Sequence, residues 1–244
     1  MFLSVLPQTV GVFLVIMIAF AMVKQNRRPY FALLFIIAYL VSRIVVPLPH
    51  ALGLHLGLDH NWVGHFLMIG WVLIFLWIGP LRAKDIGLTL KQHSGTITPA
   101  IMVTIGIIAF KGIVAALLTE GRPNDIIVET LLFQITMPPL AQELVQTGIL
   151  LTLMILALGG TINQKTDWDR VTYLAVIVTA FSHGIIFALS YNGGLQLNIM
   201  AFMIPFIGKV AYAWLRLYTG SLLFPILAFS ISNFVVWLVP YLLN

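Results

Sequence analysis

Long apolar runs separated by short polar breaks make up almost the whole chain. The runs cover about 3–23, 30–48, 62–81, 98–118, 126–160, 171–191, 197–215 and 221–243. A helix needs about 20 apolar residues to cross a bilayer, and these runs are of that length. Pro, Gly and charged clusters divide them: KQNRRP at 24–29, PHALGLHLGLDHN at 49–61, RAKDIGLTLKQHSGT at 82–96 and TEGRPND at 119–125. The pattern predicts an all-α fold, a polytopic transmembrane helix bundle of about eight spans. The fifth run is too long for one perpendicular crossing. Pro138-Pro139 is expected to break it, because proline removes a backbone donor and clashes with the preceding turn. A tilted or surface-lying segment is therefore expected up to about 137, with a new helix entering at Leu140.

Composition agrees with this reading. Of 244 residues, 60% are hydrophobic and 9% charged, where soluble domains are about 25% charged. The absence of cysteine excludes disulfides, thiolate nucleophiles and cysteine-ligated zinc. The first apolar run has no basic stretch before it, so it is read as a retained helix and not a cleaved signal. The net charge of +5 reports topology and not a nucleic-acid partner. With alternating spans, Lys24, Arg27, Arg28, Arg82, Lys84, Lys91, Lys165, Arg170, Lys209 and Arg216 fall on one side, and Arg122 alone on the other. The positive-inside rule then puts both termini outside. Trp62, Trp168 and Trp214 near span ends suit an aromatic belt. No long linker marks a second domain, and no repeat relates the two halves, which weakens an inverted-repeat transporter reading.

Polar side chains inside apolar spans are costly and mark candidate sites. Arg43, Lys111, Glu143, His183 and Asn233 come from five spans. Counted at 1.5 Å per residue, all lie roughly 18–25 Å from the cytoplasmic face. Each alone could be a snorkelling cation or a helix-to-helix hydrogen bond; together they form one polar layer. Glu143 is the one carboxylate well inside a span, and Lys111 is its expected ion-pair partner by depth, with Arg43 next. His50, His55, His60 and His65 recur every five residues, a spacing that scatters the rings instead of gathering a metal site. A solvated loop is expected there.

Three stretches in order resemble the CAAX protease and bacteriocin-processing (CPBP, or Abi) family. PPLAQELVQTGILL at 138–151 is similar to its Glu-Glu-x-x-x-Arg-Gly segment, and SHGIIFALSY at 182–191 to its Phe-x-x-x-His helix. TGSLLFPILAFSISNF at 219–234 resembles the turn that precedes its His-x-x-x-Asn, and DIGLTLKQ at 85–92 the loop before its core. The resemblance covers about 82–240, which divides the chain into N-terminal helices without family signal (1–81) and a CAAX-protease-like core (82–244).

In that family the motif glutamates and histidines gather around a metal or a water, the arrangement of metal-assisted hydrolysis. Carried over by position, the first glutamate falls on Gln142, while the second is kept as Glu143. The arginine falls on Thr147, and Gly148 after it is kept. Phe187 is kept, its histidine falls on Tyr191, the third-motif histidine falls on Phe229, and Asn233 is kept. The resemblance therefore implies a fold kept without its protease chemistry: no cofactor, membrane lipid around it, and a role in binding or regulating another membrane protein. A bacterial plasma membrane is the implied location. Two alternatives remain open. One is an intramembrane zinc protease cleaving prenylated or leader peptides with Glu143 and His183. The other is a small transporter with a path through the polar layer.

Overall fold

A computed structural model describes residues 2–23, 26–54, 60–117, 128–162, 168–191 and 194–243. Its helices are α1 (Phe2–Met22), α2 (Pro29–Val45), α3 (Leu48–Ala51), α4 (Trp62–Ile78), α5 (Ile97–Leu117), α6 (Val128–Gln142), α7 (Leu151–Ala157), α8 (Arg170–Ala188), α9 (Ile199–Thr219) and α10 (Leu223–Leu243). Among the described residues, five helical stretches are long and apolar enough to cross a membrane, and three shorter apolar helices accompany them. The apolar runs thus became an all-α bundle of polytopic type. Their outer faces carry large apolar side chains such as Leu14, Ile18, Leu33, Ile37, Leu73, Ile74, Ile101 and Ile105. A solvated monomer rarely exposes so much apolar surface; acyl chains cover it at no cost.

The fifth run differs from its expectation. Pro138 and Pro139 lie inside α6, and the helix continues without a break through a π-helical stretch, Glu143–Leu150, into α7. Pro138 has no N–H to give to the carbonyl of Gln134 four residues earlier. The side-chain amide of Asn233, from α10, donates to that carbonyl instead at 3.1 Å. A freed backbone group is tolerated in a span when a neighbouring helix satisfies it. The wider π spacing then begins at Glu143, and every residue of that stretch is buried. The 128–157 helix is the centre of the bundle, with 83% of its most apolar window buried against 17% for α5.

The other helices assemble around it. α8 packs mainly on α9 and on α1, α10 on α5, and α2 on α7 and the π-helical stretch. One apolar core runs from Val12 and Phe35 through Val72, Leu151 and Met154 to Leu222, so helices before and after residue 81 share it. α8 stops at Ala188, short of the expected 191. A small antiparallel hairpin follows, β1 (Leu189–Tyr191) with β2 (Leu195–Leu197), a strand pair that the all-α reading did not include.

One end of the bundle is closed by the 82–96 loop. Leu222 N–H donates to Gly87 O at 2.8 Å, His93 N–H to Thr219 O at 2.9 Å, and Ser221 Oγ to Thr89 O at 2.5 Å. Arg216 reaches Asp85 O at 2.6 Å and Thr152 Oγ1 at 2.7 Å. Two of the family-like stretches, DIGLTLKQ and the TGS turn, are therefore bonded to each other. Gly148 packs beside this junction: a Cβ there would meet Leu222 Cδ1 tightly at 3.3 Å and Ile86 Cβ at an ordinary 3.5 Å.

Candidate functional site

Towards the opposite end, two cavities share a wall. One of about 180 Å³ is lined by Ser42, Arg43, His65, Gln142, Gln146 and His183 among others. The second, about 250 Å³, includes Lys111, Gln142, His183, Tyr212, Phe229 and Asn233. Gln142, His183 and Phe187 border both. The expected polar layer is thus brought together: Arg43, Lys111, His183 and Asn233 all line this pair of cavities. So do the motif positions Gln142, Phe187 and Phe229. Tyr191 lies in β1, beyond the end of α8. The imidazole that reaches the cavities is His183, eight residues earlier on the helix itself.

Glu143 sits behind this wall, fully buried, and its partner corrects the sequence expectation. The cation bound to it is Lys209 of α9, which is also fully buried; it is neither Lys111 nor Arg43. Thr147, one turn along, donates to the other carboxylate oxygen, and Lys209 lies 3.4 Å from the same hydroxyl. Where the resemblance places an arginine, this chain has Thr147 and takes its cation from another helix. Lys209 is grouped by the charge pattern of the sequence with the cytoplasmic loop cations. It lies ten residues before the end of α9, about 15 Å into the bundle. Arg216 likewise is buried under the 82–96 loop, so neither is a loop charge.

Lys111 has a different environment. Its ammonium stands 4.5 Å from the centre of the Phe229 ring and 5.4 Å from that of Tyr212, and those two rings stack 5.3 Å apart. Phe229, the position of a family histidine, has become half of a cation-binding aromatic face. Arg43 donates from Nη2 to Gln8 Oε1 at 3.3 Å, and its Nε has no partner. Gln142 Oε1 and His183 Nδ1 are likewise buried without a partner.

Sequence reasoning missed Gln8, Gln146 and Lys209. Gln8 is buried on α1 and donates to Ile186 O at 3.2 Å and Leu189 O at 3.0 Å, tying α1 to the end of α8. Each of the three is a polar residue within an apolar run, the same signal that singled out Arg43. The histidine loop also differs from its expectation. His60, half-buried, stacks on Phe133 at 4.8 Å, and His65, buried, meets the same ring edge-on at 5.0 Å, while His50 is exposed as expected. His55 lies outside the described residues.

These side chains do not fit a catalytic metal. Such a site takes three protein ligands, and among the described residues His65 and His183 are the only His, Cys, Asp or Glu side chains on the cavity walls. His65 Nδ1 is bonded to Asn61 O at 2.9 Å. Among the described residues no group of three such ligands occurs anywhere. His183 lines one cavity with Arg43 and the other with Lys111, so a cation already stands on each side of that imidazole.

The geometry defines a helical membrane protein with a polar, cation-rich pair of cavities inside the bundle. Residues 123–235 match the model of a protein family described as type II CAAX prenyl endopeptidase Rce1-like. That region is similar to an Rce1-like domain, and it contains Gln142, Glu143, His183, Lys209, Phe229 and Asn233. No curated protein and no solved structure matches the chain.

Proposed function

We propose that this protein is a catalytically degenerate member of the CAAX-protease type that works by binding or regulating another membrane protein. Its setting is the bacterial plasma membrane, with both termini outside. One observation carries the reading: the carboxylate of Glu143 is engaged by Lys209 and Thr147, and the side chain that lines the cavities beside it in sequence is an amide, Gln142. A general base must be free to take a proton from water. Glu143 is spent on an ion pair, Gln142 has no basic group, and Phe229 and Tyr191 stand where the resemblance has imidazoles. The kept residues serve structure: Asn233 bonds Gln134 O, and Gly148 admits Leu222 and Ile86.

The test is cleavage of a prenylated CAAX peptide by the protein reconstituted in liposomes, with zinc added. No product above the liposome blank is expected. Cleavage that disappears on Glu143→Gln or His183→Ala would establish the protease reading instead.

A further inference from the structure

The polar layer has a charge imbalance. Of its four ionic side chains, Lys209 and Glu143 cancel each other. Neither Arg43 nor Lys111 forms an ion pair with any described residue. Arg43 touches a neutral amide and Lys111 two aromatic faces. No carboxylate lines either cavity. Two cations within a low-dielectric bundle are costly unless an anion joins them.

The cavities have the form that such an anion needs. Gln142 and His183, each with an unpartnered buried polar atom, lie on the wall between the Arg43 side and the Lys111 side. Around them are apolar residues: Met68 and Ile186 in one cavity, Ile204 and Pro205 in the other. Phe187 borders both and is 48% exposed, so the shared wall reaches the outer face of the bundle there. Arg43 is two residues from the end of α2 and His183 five from the end of α8. Lys111 is six residues from the end of α5, so at 1.5 Å per residue the site lies about 3–9 Å from that end of the bundle, the depth of a lipid head and its first carbons. Volumes of about 180 and 250 Å³ hold a head group; a helix about 10 Å across does not fit.

We propose that these cavities bind the anionic head of an apolar-chain amphiphile, a phosphate or a carboxylate seated between Arg43 and Lys111, with its tail leaving past Phe187. The proposal rests on the non-catalytic reading in one respect, that no metal occupies the same walls.

Native mass spectrometry of the protein released from phosphatidylcholine nanodiscs tests it, with either phosphatidylglycerol or oleate doped in. One of the two anionic amphiphiles is expected to stay bound, and which one does so identifies phosphate or carboxylate as the head. Arg43→Gln with Lys111→Met should weaken retention about tenfold or more, while Arg43→Lys with Lys111→Arg should largely keep it. If the first pair does not fold, Phe187→Trp, which crowds the exit with both cations intact, should lower retention. Phosphatidylcholine retained as well as the anionic probes would overturn the proposal. So would retention unchanged in the charge-removing pair, or no anionic probe retained at all, the result expected if an acidic side chain of a partner protein supplies the anion. Zinc measured on the same sample reports on the non-catalytic reading separately, since lipid retention does not depend on it.

Discussion

Lys209 of α9 and Glu143 at the start of the π-helical stretch form an ion pair with no exposed surface on either side chain. The pair joins two helices at the point where the resemblance places catalytic chemistry. It engages the one carboxylate of the layer in a tie between two helices.

Removing one member of such a pair leaves a buried charge alone, at a cost of about 3–5 kcal/mol, while an apolar replacement of both is much milder. Glu143→Gln and Lys209→Met are each expected to lower the melting temperature in detergent more than the double variant does. Additive losses would mean that the two side chains do not act as a pair. Lys111→Met should couple to Glu143→Gln more weakly, since Lys111 makes no ion pair with that carboxylate.

Asn233 is expected to be coupled to Pro138 in the same manner. Asn233→Leu leaves the Gln134 carbonyl without a donor, a loss of about 1–3 kcal/mol. In a Pro138→Ala background the backbone N–H returns and the same change should cost far less. An equal cost in both backgrounds would show that Asn233 does not serve that carbonyl.

The eight apolar runs were legible because hydrocarbon demands length and apolarity and little else. Helix order, the polar layer and the loop of residues 82–96 were therefore visible in the sequence. The course of the helix through Pro138 was not, since its repair comes from Asn233, 95 residues later in the chain. Lys209 lies six residues inside the 197–215 run, so grouping it with the loop charges ignores its place in the run; α9 continues to Thr219 and ends on Gly220, which adopts φ 77° as a left-handed cap, and the lysine is deeper still. Depth alone could not choose among three cations for Glu143, because choosing requires knowing which helix faces which. The apolar run 171–191 extends three residues past the end of α8, so Tyr191, where the resemblance places a histidine, falls in β1, and the cavities are reached by His183.

The orientation of the bundle is open to direct labelling, as the chain has no cysteine of its own. Leu195 in the hairpin is 57% exposed and Leu90 in the 82–96 loop 83%, and they lie at opposite ends. In intact cells a membrane-impermeant thiol reagent is expected to modify Leu195→Cys and to miss Leu90→Cys. The reverse pattern would invert the topology.

The central claim, a CAAX-protease-type fold whose site binds without hydrolysing, is tested most directly by the metal content of the purified protein. After purification in mild detergent and exchange into zinc-containing and then zinc-free buffer, elemental analysis is expected to find far less than one zinc per chain. Glu143→Gln and His183→Ala should leave that value unchanged. One tightly held zinc per chain, lost on either substitution, would contradict the account and restore Glu143 and His183 as the centre of an active protease.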